Sequence, residues 1–163
     1  MDVDEVRKLR SEEGELFEIK ESCLKMSKFF KDLMNDFPDP EEEIIVKGVK
    51  TKELKRIKEY LEYYGNEDEN EKKKPKEIPK PLPNGNLKEV LDDWDYNYIN
   101  PLSIEESIDL LNAAFSLDIE ELVNLASAKI ASEMLIGTVE EVREKFEWKN
   151  MTDEDKKEYG IED

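Results

Sequence analysis

Near its N-terminus the chain reads Val6-Arg7-Lys8-Leu9-Arg10-Ser11-Glu12-Glu13-Gly14-Glu15-Leu16-Phe17-Glu18-Ile19. Two short runs, Val6 to Leu9 and Glu15 to Ile19, flank a polar Ser-Glu-Glu-Gly connection, which is the pattern of a β-hairpin. Gly14 supplies the positive φ that such a loop often needs, having no Cβ to clash there. Phe17 and Ile19 alternate with Leu16 and Glu18, as on a strand with one buried face. The longer periodic segments downstream have helical spacing. A small N-terminal sheet packed by a cluster of helices is therefore predicted, an α+β fold.

Outward from the hairpin, helix ends are well marked. Ser27 is a natural N-cap for a helix with Phe29, Phe30, Leu33, Met34 and Phe37 toward one side, and Pro38-Asp39-Pro40 stops it. Ile44-Ile45-Val46 reads as a further short strand. Leu54, Ile57, Leu61 and Tyr64 then recur at helical spacing until Gly65. Residues 65 to 86 change character: Pro75, Pro79, Pro81 and Pro83 fall there beside Lys72-Lys73-Lys74. Such a stretch reads as a disordered, solvated loop. Beyond it, the capping box Ser103-Ile104-Glu105-Glu106 opens a helix with Ile104, Ile108, Leu111 and Phe115 on one face. The next helix carries Ile119, Leu122, Val123, Ala126, Ile130 and Met134 and closes at Gly137. Thr138-Val139-Glu140-Glu141 is a second capping box, and a weak last helix starts near Thr152.

Charge and missing residue types exclude several functions. The 25 Lys and Arg against 43 Asp and Glu leave a net charge of −18, so the chain's own field repels nucleic-acid phosphates and anionic membrane surfaces. The sequence contains no histidine, which removes Ser/His/Asp and Cys/His catalysis, imidazole proton shuttles and His-ligated zinc. The single cysteine, Cys23, reads as a small core filler rather than a nucleophile. Six scattered glycines form no phosphate-binding loop. The acidic runs Glu41-Glu42-Glu43 and Glu67-Asp68-Glu69 have neither EF-hand spacing nor the apolar surround that drives two carboxyl pKa values apart. No catalytic residue, cofactor or metal is expected. The charged start Met1-Asp2-Val3-Asp4-Glu5 and the lack of a long apolar run read as a soluble, intracellular chain.

One apolar group is left over. Val139, Val142, Phe146, Trp148 and Met151 follow a helix that already has its own core face. They either fold back as ordinary core or line an open groove for a partner, for which Trp, Phe and Met are suitable material. Periodicity leaves both readings open.

Four motifs, in order, carry a resemblance over nearly the whole chain. Gly14-Glu15-Leu16-Phe17-Glu18-Ile19 resembles a second strand; Trp94-Asp95-Tyr96-Asn97-Tyr98-Ile99 a tryptophan-aspartate motif after an internal loop. Ala113-Ala114-Phe115-Ser116-Leu117-Asp118-Ile119 resembles a helix junction, and Ile136-Gly137-Thr138-Val139-Glu140-Glu141-Val142-Arg143-Glu144-Lys145-Phe146-Glu147-Trp148-Lys149-Asn150 a C-terminal signature. The family they resemble is the S-phase kinase-associated protein 1 family, the adaptors of SCF cullin-RING ubiquitin ligases. The resemblance implies a BTB/POZ-like domain over residues 1–124, interrupted by the loop at 65–86, and a helical extension over 125–163 that grips F-box proteins. It also implies a cytoplasmic and nuclear protein without catalysis of its own, raising the effective concentration of bound substrate near a ubiquitin-charged enzyme.

Carried over by position, Ile130, Met134, Val142, Phe146, Trp148 and Met151 are the expected F-box contacts. The family's junction commonly has Asn-Tyr, touching the cullin, where this chain has Phe115 and Ser116. Val139 stands where the family has proline. The resemblance thus implies an SCF adaptor whose cullin contact has changed. The alternatives are a diverged F-box-binding module without a cullin, as a decoy or a subunit of a non-ligase complex, and a self-associating BTB-like scaffold.

Overall fold

The computed structural model describes residues 4–65, 73–147, 152–158 and 160. Strands β1 (Val6–Arg10) and β2 (Leu16–Lys20) pair antiparallel, with Leu9 opposite Phe17 and Arg7 opposite Ile19. Gly14 closes the connection at φ 89° and donates its N–H to the Ser11 carbonyl at 2.9 Å. Strand β3 (Ile44–Ile45) lies parallel to β1 on its other side, giving the order β2-β1-β3. β3 is a residue shorter than its apolar run. Val46 is nonetheless buried, and its N–H reaches the Arg10 carbonyl at 2.9 Å.

One face of this sheet, Leu9, Phe17, Ile19 and Ile44, enters the core. So does Arg7, only 2% exposed. Its guanidinium donates to Glu21 at 2.6 Å and to the carbonyls of Phe37, Pro38 and Asp39. A cation can be buried here because every bond goes to a carboxylate or carbonyl oxygen.

A single turn, α1 (Glu21–Leu24), leads into α2 (Lys28–Asp36). Ser27 caps α2 by accepting the Phe30 N–H at 3.1 Å, and its hydroxyl donates across the molecule to the Leu117 carbonyl. The apolar side read for this helix is only partly core: Phe30 is buried, Leu33 and Met34 are partly so, and Phe29 and Phe37 face solvent. Helix α3 (Thr51–Tyr64) buries Leu54, Ile57, Leu61 and Tyr64 as its spacing predicts, with Tyr60 added. Gly65 then passes so close to α1 that a Cβ there would lie 2.5 Å from Cys23 Cα. Cys23 is buried, and burial pushes its thiol pKa up, as suits a core filler.

Residues 66–72 of the long loop lie outside the described residues. From 73 to 86 the chain has no helix or strand, yet Ile78 and Leu82 pack against the core and Lys80 donates to Asn124 Oδ1 at 2.7 Å. Most of this segment is exposed, with Ile78 and Leu82 as two partly buried apolar anchors among the prolines. A 3₁₀ turn (Leu87–Glu89) and α4 (Asp93–Ile99) follow. On α4, Trp94 stacks with Tyr63 at 3.9 Å and with Tyr98 at 5.0 Å, both nearly parallel. Lys73 Nζ sits 4.2 Å over Tyr63 and the Arg56 guanidinium 5.5 Å over Tyr98, a cation–π contact at each tyrosine.

Helices α5 (Ile104–Ser116) and α6 (Glu120–Met134) pack against each other and against the rest of the core. Ser103 caps α5 as expected, accepting the Glu106 N–H at 3.1 Å. The buried face of α5 differs from the one read in the sequence. Ser107, Leu110, Ala113, Ala114 and the following Leu117 face inward, whereas Ile108 and Phe115 are exposed and Ile104 and Leu111 half-buried. Small residues let α5 approach α6, and Ser107 meets its own need by donating to the Ser103 carbonyl at 2.7 Å. Helices α7 (Val139–Lys145) and α8 (Asp153–Glu158) complete the chain.

Candidate protein-docking surfaces

Among the places where apolar side chains are left exposed, two hold residues that the sequence singled out. The first is the end of α5. Phe115 is 75% exposed, the largest value for a bulky apolar residue among those described. Ser116 beside it is exposed and returns its hydroxyl proton to the Asn112 carbonyl at 2.9 Å. What holds this corner is the α5–α6 turn. Asp118 adopts φ 50°, a left-handed conformation that Asp tolerates better than most residues. Its carbonyl accepts the first N–H of α2 at 3.2 Å, so α2 and the corner are tied together.

The second surface runs from the end of α6 through α7. Met134, Leu135, Ile136 and Val139 are all exposed, Val139 at 66%. Gly137 reverses the chain between the helices at φ 104°. Thr138 then forms a full capping box, accepting the Glu141 N–H at 3.2 Å while Glu141 accepts the Thr138 N–H at 2.7 Å. Glu133 joins the two helices: one oxygen accepts from the buried Lys129 at 2.7 Å and the other from Lys145 of α7 at 2.8 Å. Burial alone would raise the Glu133 pKa, but these two lysines outweigh it and hold the carboxyl below the ordinary glutamate value.

Of the residues expected to contact an F-box, Ile130 and Phe146 are half-buried, Met134 is exposed and Val142 is buried within this chain. Trp148 and Met151 lie outside the described residues. Sequence reasoning missed Leu135 and Ile136, and it placed Val139 in the leftover apolar group but not among the F-box contacts. Their signal was their place around the Gly137-Thr138 reversal between the two helices.

The sequence as a whole has relatives. The family model described as "Skp1 family, tetramerisation domain" matches residues 5–66. A protein of Tetrahymena thermophila named "S-phase kinase-associated protein 1 homolog" is 35% identical over 139 residues, which cover 85% of this chain and 80% of that protein. The chain belongs to the Skp1 family. A further Skp1 relative, "SKP1-like protein 18" of Arabidopsis thaliana, is 30% identical over 142 residues, covering 87% of this chain and 83% of its own. As a Skp1-family member it has the BTB/POZ-like α+β fold, with the matched segment spanning β1 to the end of α3. At the level of the family, this is a group of non-catalytic SCF adaptors in the ubiquitin pathway.

Proposed function

We propose that this chain is the adaptor of an SCF-type cullin-RING ligase, holding an F-box substrate receptor on the α6–α7 surface and a cullin N-terminal region at the end of α5. The observation that carries the proposal is the coexistence of two uncovered apolar surfaces: Met134, Leu135, Ile136 and Val139 on one, Phe115 on the other. An adaptor needs two sites that can be filled together, because it works by keeping two partners at high effective concentration. A contiguous exposed apolar patch, such as the one from Met134 to Val139, marks an interaction site more often than a single exposed side chain does. Protein partners of both kinds follow from the family, and the F-box contacts assigned to this chain are Ile130, Met134, Val142, Phe146, Trp148 and Met151. Cytoplasm and nucleus are the proposed locations.

Co-elution tests it. The full chain is mixed with an F-box fragment and then with a cullin N-terminal fragment of its own organism, and a ternary peak is the expected result. F-box binding without the cullin would favour the second reading, a diverged F-box-binding module; the support for that reading is Phe115 and Ser116, which stand at the cullin-touching positions. Binding to neither, with self-association by light scattering, would replace both by the scaffold.

A further inference from the structure

The angle between α6 and α7 is not set by the connection that joins them. Gly137 makes the reversal at φ 104°, and a residue without a Cβ accepts many other backbone conformations as readily. The glycine is required there, because a Cβ would lie 2.6 Å from Glu141 Oε2. The capping box closes between Thr138 and Glu141, so it supports the start of α7 whichever way the helix points. Within α7 only Val142 is buried, and one apolar side chain is a thin hold on the whole helix.

The far end of α7 is held by charge. Lys145, its last residue, donates to Glu133 Oε2 at 2.8 Å, and Lys129 donates to Glu133 Oε1 at 2.7 Å. Lys129 is buried on α6, a helix whose Leu122, Leu125, Ala126 and Ala128 belong to the core. The carboxylate is therefore fixed before Lys145 reaches it, and Lys145 alone gives up side-chain freedom to make the bond. Its place gives the bond leverage. Phe146, beside Lys145, is an expected F-box contact and lies ~13 Å from Gly137 along a helix rising ~1.5 Å per residue. A swing of about 20° about Gly137 would carry Phe146 some ~4–5 Å, well outside the tolerance of a preformed binding surface. We infer that Glu133 and Lys145 form a brace that positions the F-box surface: they fix the angle of α7, and so the place of Phe146, without touching the partner themselves. The inference rests on the F-box half of the function proposed above. It makes that surface pre-organised in the free chain, which lowers the ordering cost of binding.

The test compares full-length wild type with Lys145→Gln, Lys145→Glu and Lys145→Arg. Two quantities are measured: the binding kinetics of an F-box fragment, and hydrogen exchange of the α7 amides in the free chain. Lys145 reaches the surface, so the variants should keep the fold. Lys145→Gln should speed exchange in α7, because a short helix released from its neighbour frays. It should also weaken F-box binding roughly two- to fivefold, chiefly through slower association, as the docked fraction falls. Lys145→Glu repels Glu133 and should carry both effects further, to about tenfold in affinity. Lys145→Arg keeps the charge and should stay close to wild type in both. Weaker F-box binding with α7 exchange equal to wild type would make Lys145 a direct contact and overturn the inference. Faster exchange with unchanged affinity would overturn it too, since the angle of α7 would then not matter; either result leaves the adaptor reading standing. A wild-type chain that binds no F-box fragment would overturn the F-box half of that reading and this inference with it.

Discussion

Replacing Phe115 by alanine removes a ring that the free chain leaves 75% exposed. A phenylalanine side chain has roughly 200 Å² to bury, so about 150 Å² remains for a partner to cover. At ~25 cal/mol per Å² this sets an upper value near 4 kcal/mol. Side-chain ordering and imperfect desolvation at the interface reduce it to about 2–3 kcal/mol, the range of an aromatic hot spot. With ~1.4 kcal/mol per tenfold in Kd, cullin binding should weaken about 30- to 150-fold. The same substitution should move folding stability by no more than about 0.5 kcal/mol, as for other surface positions. F-box affinity should not change. Titration calorimetry of the free chain with the F-box fragment and of the F-box-bound chain with the cullin fragment, beside thermal melts of the free chain, reads all three quantities. An unchanged cullin Kd would refute the placement of the interface, and a large loss of stability would show that the ring is core after all.

Arg7→Met should destabilise the chain by about 3–5 kcal/mol, because Glu21 and three carbonyls of the 37–39 turn lose a buried cationic donor. Urea unfolding with a lower midpoint at unchanged slope would show it, whereas a shift no larger than that of a surface ion pair would sink the reasoning. Asp95, only 3% exposed, accepts the Tyr64 hydroxyl at 2.6 Å, and burial raises its pKa despite that bond. A raised carboxyl makes the ionised form unfavourable in the folded chain, so Asp95→Asn should raise the melting temperature at neutral pH and lose this advantage in acid. The Glu133 carboxyl is shifted the other way. Its contribution is complete above the ordinary glutamate value of about 4.3 and is lost as pH falls through the lower folded value. The wild-type advantage over Glu133→Gln should therefore shrink on the acid side only, which paired melts through the acid range would follow. A constant difference would refute it.

Local rules read well where one residue decides the outcome. Ser27 and Thr138 cap because a hydroxyl three residues ahead of an N–H has no better partner, and Pro38 stops α2 whatever surrounds it. The hairpin was legible because Gly14 and the Phe17/Ile19 alternation point the same way. The face of α5 was not. Ile104, Ile108, Leu111 and Phe115 form a helical stripe as regular as any core, and hydropathy cannot tell a stripe turned to a partner from one turned inward. The true interior face uses Ser107, Ala113 and Ala114, whose small size lets α6 approach and whose low hydropathy gives no signal. Phe29 and Phe37 misled for the same reason. Ile78 and Leu82 were hidden by prolines that break every period around them.

The stack at α4 has an optical consequence. The chain has two tryptophans, Trp94 and Trp148. Tyr60, Tyr63, Tyr64 and Tyr98 all have ring centres within 6.0 Å of Trp94, so light absorbed by these phenols drains to a single indole. Trp94 is thus a built-in lamp for the folded domain, and its emission reports whether the α3–α4 packing is intact.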